Sequence, residues 1–464
     1  MALALPPAAP STKRSAEYSA TLNGEAVFVH GLPGFAGGTV SFVSVDLDAA
    51  SEAALTAGRA LEFRVTAHRL VDQVSVRPLS AGVASTLENE TTAVFKITRP
   101  GHYFVKWDDS FQLPFYLFVN PPCVAPAEPP PPPPGSRLRP ALISFGPGIH
   151  KPGLIRLRSG QTLYFAPGAE VHGTVIAEDA SDIRICGRGI LKGSSIPFGG
   201  TAEHRHMIGL HRCKRVIVEG VTVIDGFGWN IIAHHCDDVV FRWVKVLTER
   251  LWSTDGINPC ASRHVLIEDC FIRSKDDCVA VKGLDWEHPD PSDWRPMHDI
   301  TVRRIVGWSD NNNAFVVGAE TRCSEISRIR FEDCDLLHVS NTCGDEAAAL
   351  TITALDDTRL HDVVFRDIRV EFNHGPLINV YLTNDVFDIP GTRLPAGGVI
   401  EDIEFTDITL LEGPSRRSFL RGLDDTRLVR GIRFKNLTVR GVPVRDAAAL
   451  RLVTNAHVRD VTFA

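Results

Sequence analysis

From residue 140 onward the chain repeats a four-residue pattern of polar, apolar, variable and apolar positions. It appears as Asp182-Ile183-Arg184-Ile185, Arg215-Val216-Ile217-Val218, Asp238-Val239-Val240-Phe241, His264-Val265-Leu266-Ile267 and Asp299-Ile300-Thr301-Val302. It continues as Arg328-Ile329-Arg330-Phe331, Asp362-Val363-Val364-Phe365, Asp402-Ile403-Glu404-Phe405, Gly431-Ile432-Arg433-Phe434 and Asp460-Val461-Thr462-Phe463. The intervals run from 23 to 40 residues, and many repeats add a second short apolar run, as in Phe331–Leu336. Unequal spacing rules out a propeller of equal blades and suits a coil whose strands stack while its loops vary. No helical periodicity of useful length interrupts the series. The pattern predicts a right-handed parallel β-helix over residues 140–464.

Before it, short alternating runs such as Ala26–Val29, Val40–Val45, Leu61–Val65, Val74–Val76, Ala93–Ile97, Tyr103–Val105 and Phe115–Val119 predict a small antiparallel β-sandwich, residues 1–122. Residues 1 to about 20 are rich in Ala, Pro and Ser and are expected to be loosely ordered. The run Pro129–Pro134 marks a stiff linker, residues 123–139. The fold class expected is therefore all-β, an accessory sandwich followed by a β-helix that carries any chemistry.

Composition narrows the function. The 464 residues are 44% hydrophobic and 23% charged, normal for a globular protein. A net charge of -7 gives no footing for nucleic acid or an anionic membrane, and argues mildly against a polyanionic substrate. No apolar run is long enough to cross a bilayer. The N-terminus, Met1 to Pro7, is too short and too early broken by proline for a secretion signal. The expected location is cytoplasmic, or secreted once a leader has been removed. The ten cysteines form no CxxC pair and no metal grouping with histidine, so reduced core thiols are expected, with no metal and no cofactor. Oligomeric state is left open.

The chemistry concentrates between Trp252 and Gly283. Asp255 and Asp276 lie 21 positions apart, about one coil, so they fall on adjacent rungs ~5 Å apart. Asp277 adds a third carboxylate, and like charges so close raise one another's pKa. That is the arrangement a glycosidase needs, with one proton donor and one ionised base across a glycosidic oxygen. Because neighbours on a strand face opposite sides, Asp276 and Asp277 share a cleft only if the backbone bends there. Around them, Trp229, Trp252, Trp286 and Trp294 are candidates to stack on sugar faces. His204, His206, His234 and His235 fall on preceding loops, and Asn230, Lys282, Glu320 and Arg322 are candidates for hydroxyl contacts. The partner expected is a carbohydrate chain along an outer groove, with the segment Leu284–Met297 long enough to block one end.

The motif Ser253-Thr254-Asp255-Gly256-Ile257 followed by Asp276-Asp277-Cys278-Val279-Ala280 resembles the paired motifs of the polygalacturonases, glycoside hydrolase family 28. A sandwich before a β-helix is also similar to family 49, the dextranase and isopullulanase group. The resemblance implies Asp276 as general acid, Asp255 and Asp277 activating a water, and single displacement with inversion. It departs in three places. Ser253 stands where the family has Asn. Asn313 stands where the family's Gly-His-Gly motif has its histidine. Leu350-Thr351-Ile352-Thr353-Ala354-Leu355 offers no counterpart to the Arg-Ile-Lys motif that grips a uronate carboxylate. A neutral glycan, dextran-like or another α-glycan, is expected over polygalacturonate. The alternatives are a calcium-dependent lyase, a fructotransferase, or a non-catalytic glycan-binding β-helix.

Overall fold

The computed structural model describes residues 13–35, 38–127, 141–197, 199–201, 203–248, 250, 253–284, 295–318, 320–342, 344–355, 358–383, 398–414 and 416–464. The proline run 129–134, Trp252, Trp286, Trp294 and most of the 284–297 segment lie outside the described residues.

Among the described residues the repeat becomes a right-handed parallel β-helix of thirty strands, Leu142–Phe145 to Val458–Phe463, with one antiparallel pair, Thr438–Val439 with Val442–Pro443. In its middle a coil has three strands, for example Ile257–Cys260, Arg263–Glu268 and Phe271–Ser274, and each pairs in parallel with its counterpart one coil on. Three positions of the four-residue pattern have a physical task. The first is a corner in the left-handed conformation: Asp182, Arg215, Asp238, His264, Asp299, Arg328, Asp362, Asp402 and Asp460 have φ between 52° and 62°, and Gly431 has 68°. Short polar residues tolerate that conformation better than bulky ones, which explains the excess of Asp there. The second and fourth positions point into the coil. Ile185, Val218, Phe241, Ile267, Val302, Phe331, Phe365, Phe405, Phe434 and Phe463 stand in one register. From Phe331 onward the rings stack at centroid spacings of 4.6 to 5.5 Å. The cysteines among the described residues are free, and all but Cys123 are buried, as reduced core thiols are.

The N-terminal unit has a six-stranded and a five-stranded sheet around one core, antiparallel except where Gly38–Asp46 runs parallel to Ser110–Asn120. Leu61–Ala67 shows the alternation that built it, every second residue buried. Two features differ from the sequence reading. Residues before 20 are not all loose, since Lys13–Arg14 and Tyr18–Leu22 are strands and Tyr18 packs into the core beside Trp107. A helix, Ala49–Thr56, also occurs; Asp48 caps it by accepting from the Ser51 N–H at 2.6 Å.

The sandwich sits on the third face of the coil. Leu32, Val40, Phe42, Phe104, Tyr116 and Phe118 form one apolar cluster with Ile190, Ile224, Leu247, Phe271, Trp308 and Leu337. Lys245 extends from the β-helix and donates to Asn120 Oδ1 at 3.0 Å, and Arg188 pairs with Asp46 at 3.3 Å. The third-face strands lead directly into the turns that carry the acids.

Candidate active site

The first face of the coil carries the site. Asp255 precedes strand Ile257–Cys260, Asp277 precedes Val279–Val281 and Asn313 precedes Phe315–Val317. The register Ile257–Val279–Phe315, continued two residues back, places these three in one row. Asp276 and Asp277 lie in the turn between Ser274 and Val279, outside regular strand, so the alternation that would separate them does not apply. An oxygen of each of Asp255, Asp276 and Asp277 lies within 4.8 Å of the others. The spacing motif thus brings all three acids together. Gly256 has a steric reason beside them, since a Cβ there would stand 2.3 Å from the Cys278 carbonyl oxygen of the next coil.

The three acids differ in their surroundings. Asp255 is 2% exposed, accepts from Asn258 Nδ2 at 2.7 Å, and has the Lys282 ammonium 3.7 Å away. Burial, then the Asp276 carboxylate, holds its pKa well above the ordinary value against the pull of Lys282. Asp277, 5% exposed, accepts from both the backbone N–H of Asn313, 3.2 Å, and its side-chain amide, 2.8 Å. Burial and the Asp276 charge push it up to about 7. Asp276 is half-buried and accepts from Ser253 N–H, 2.7 Å, Asn312 Nδ2, 2.6 Å, and Asp277 N–H, 3.0 Å.

Lys282 is the cation of the site. Its ammonium bonds Glu320 at 2.9 Å and lies 4.5 Å from the Trp229 ring centroid, over its face. Burial works against its charge, but Glu320, Asp255 and Asp277 together raise its pKa. Asn313 takes the place expected for a histidine and works as a brace. Its oxygen accepts from Thr351 Oγ1, 2.6 Å, and Ala348 N–H, 3.0 Å, and its amide supports Asp277.

Among the other sequence candidates, Trp229 stacks at 6.4 Å on His206, which burial lowers to about 4. Asn230 is buried, and both its amide groups, backbone and side chain, donate to the Asp255 carbonyl. His234 is buried between the rings of His211 and His235. Glu320 bonds Lys282, and Arg322 lies half-buried two residues beyond. Asn258, Asn312, Tyr381, Arg421 and Glu346 were not singled out from the sequence. Asn258 could have been, three residues after Asp255; the last three show themselves only through the register that stacks Tyr381 and Arg421 beyond Thr353 on the same face. The trio of carboxylates is also the group here that could hold a divalent cation.

The face that carries the acids continues on both sides. Two coils before Asp255 it opens into a cavity of about 340 Å³ lined by Thr174, Glu178, Glu203, Arg205, His206 and His211. On the other side Thr351, Thr353, Asn379 and Tyr381 follow Asn313. Three of its cations have a carboxylate partner: Lys282 with Glu320, Arg421 with Glu346 at 2.5 Å and Arg156 with Glu178 at 3.7 Å.

Fold and site together define a class, a right-handed parallel β-helix with a carboxylate trio in a groove on one face. The particular likeness is to Glycosyl hydrolases family 28, whose model matches residues 193–285, the segment holding all three acids. The protein named "Probable polygalacturonase" from Vitis vinifera is 29% identical over 129 residues, 28% of this chain and 26% of that protein. A polygalacturonase of Juniperus ashei is 36% identical over 69 residues, 15% of this chain and 14% of its own. The chain thus matches about a quarter or less of the length of these two relatives. Among solved structures, Dex49A from Penicillium minioluteum has a TM-score of 0.64 at 12% identity, covering 100% of this chain and 96% of its own. A hyperthermoactive exopolygalacturonase from Thermotoga maritima has a TM-score of 0.52 at 16% identity, covering 69% and 84%. These likenesses confirm the fold, and the resemblance read from the paired aspartate motifs holds.

Proposed function

We propose that the protein is a glycoside hydrolase that cleaves a neutral glycan by single displacement. The observation that carries this is the trio itself, three carboxylates on adjacent turns with two pushed towards the neutral form. Asp276, the half-exposed member, faces the glycosidic oxygen as acid; Asp255 and Asp277 hold and deprotonate the water. A base poised near 7 suits that task. Carboxylates ~5 Å apart are the usual mark of a double displacement. Here the spacing has another use, because one water can bridge two oxygens that lie within 4.8 Å of each other with hydrogen bonds of about 2.8 Å. An Asp276 engaged by three N–H donors is also a poor nucleophile.

Neutral substrate is supported by the charge pattern. Thr351 and Thr353 occupy the outward positions where a uronate-gripping basic pair is expected, and Lys282, Arg421 and Arg156 are each tied to a carboxylate. Paired charges offer donors and acceptors to hydroxyl groups without an excess of positive potential. The test is a reducing-sugar screen on α-glucans including dextran, arabinans, galactans, fructans and polygalacturonate, each with and without chelator. Release from one neutral polymer, insensitive to chelator and abolished in Asp276→Asn, is expected, and the first product seen by NMR has the inverted anomer. Cleavage of polygalacturonate alone removes the neutral-glycan reading; an unsaturated, ultraviolet-absorbing product removes the hydrolase.

A further inference from the structure

The two turns of the site, 274–278 and 309–313, both leave strands that lie under the accessory sandwich. Between them sits Arg273, a guanidinium with 0% exposure. It makes a two-point pair with Asp310, Nε to Oδ2 at 2.8 Å and Nη2 to Oδ1 at 3.1 Å. Its Cζ lies 4.7 Å from the Trp308 ring centroid, and the Trp308 indole N–H donates to the same Asp310 at 2.7 Å. Its remaining arm, Nη1, donates to the hydroxyl of Tyr116 at 3.2 Å, and Tyr116 belongs to the sandwich.

The strand pattern explains this geometry. In Phe271–Ser274 the side chain of Ile272 enters the coil, so Phe271 and Arg273 face outward against the sandwich. An ion pair buried in this way gives up its hydration and is a weak source of stability, so its presence asks for another reason. Its position supplies one. Arg273 stands three residues before Asp276, and Asp310 stands two before Asn312, the donor to Asp276, and three before Asn313, the donor to Asp277. Further bonds tie the turns together: Asp310 N–H to Ser274 O at 2.9 Å, and both Ser274 Oγ and Ser309 Oγ to the Asp276 carbonyl, at 2.9 and 3.1 Å.

We propose that Arg273 and Asp310, closed over by Tyr116, are positioning residues that set the acid-bearing turn against the asparagine-bearing turn. The accessory sandwich is thereby a working part of the active site rather than a separate module. The inference rests on the hydrolase reading for its kinetic consequence, but its structural content stands without it. A carboxylate has to be held within a fraction of an ångström to serve as acid or base, and a 1 Å error costs about 100-fold in rate. Tyr116 acts here through Arg273.

The experiment uses the full chain with Tyr116→Phe, which keeps the ring in its apolar cluster, and Arg273→Lys, which keeps the charge but not the fork. Two readouts are taken: kcat and KM on the hydrolysed glycan, and amide hydrogen exchange of Asn311–Asn313. Tyr116→Phe is expected to lower kcat about tenfold with KM within about twofold, and to speed exchange at Asn312 and Asn313 while the core strands stay protected. Arg273→Lys does the same more strongly where it folds. Unchanged kcat and unchanged exchange in Tyr116→Phe overturn the proposal, whatever happens to its melting temperature. Should the wild type hydrolyse nothing, the exchange result alone decides, so the failure of one reading is not mistaken for failure of the other.

Discussion

Asp182 and Asp277 are the same residue type at the edge of stacked strands, and the structure treats them in opposite ways. Asp182 is exposed at a corner and receives both arms of Arg215, at 2.7 and 2.8 Å; that hydrogen bonding lowers its pKa to about 2. Asp299, at the same corner four coils on, is lowered to about 2 in the same manner, Arg328 being the largest cause. Asp277 is buried beside another carboxylate, receives only amide donors, and is pushed to about 7. The coil makes every side chain a neighbour of its counterpart one turn on. When the counterpart is an arginine in water the result is a solvated ladder. When it is another aspartate under cover the result is a proton held ready near neutral pH. Stacking is common to both; partner and burial decide.

The sharpest way to break this comparison is to remove the charge in the cleft. Asp276→Asn and Asp277→Asn are each expected to lower kcat by about 10²–10⁴-fold on the natural glycan, read by product release. A substrate with an activated aryl leaving group needs no acid, so it should restore much of the rate in Asp276→Asn and little in Asp277→Asn. The reverse result would move the acid to Asp277. Wild-type kcat/KM should fall as pH is lowered through about 7, because the base must be deprotonated to work.

A smaller effect concerns stability. Asp277 binds its proton more tightly folded than unfolded, so its own contribution to stability is fully present below the ordinary carboxylate range and is lost as pH rises from about 4 through about 7. Asp277→Asn can still accept from Asn313 and has no proton to lose. Its advantage over the wild type should be absent near pH 4 and reach a few degrees in Tm above pH 7.5, on the order of 3 kcal/mol. Equal Tm curves for the two proteins would mean that the carboxylate is not held above its ordinary range.

How much of this could be read from the chain follows from the same contrast. The coil was legible because the corner and core positions repeat: a polar residue then two inward apolar ones is a local rule, visible at Asp362-Val363-Val364-Phe365 without knowing what lies beside it. The carboxylate trio is legible because this coil is 22 residues long, Ile257 to Val279, so a separation of 21 or 22 positions in sequence becomes one rung. What failed to show was whatever depends on lateral neighbours. Arg273 reads as an ordinary polar strand residue, and nothing local says that Tyr116, 157 positions away, closes over it. Asn313 was read against a histidine, whereas its partners Thr351 and Ala348 belong to a coil whose register is set by loops of unequal length. The helix Ala49–Thr56 was passed over because eight residues hold too little periodicity to stand out among strands.

The least expected effect is the one that separates shape from charge. If corner aspartates are chosen for their backbone and cleft aspartates for their charge, the two should respond differently to the same pair of substitutions. Asp238 is exposed and holds φ at 62°. Asp238→Asn removes the charge and keeps a side chain that tolerates the left-handed region, so neither Tm nor kcat should move measurably. Asp238→Val removes the charge and adds a branched Cβ that this conformation disfavours, costing about 1–2 kcal/mol, with Tm lower by a degree or two and kcat unchanged. Both variants are read by the same thermal melt. At Asp277 the order inverts, since Asn there is expected to abolish most activity while raising Tm above neutral pH. A corner Asn as harmful to stability as the corner Val would show that the charge, rather than the bend, is what this corner needs.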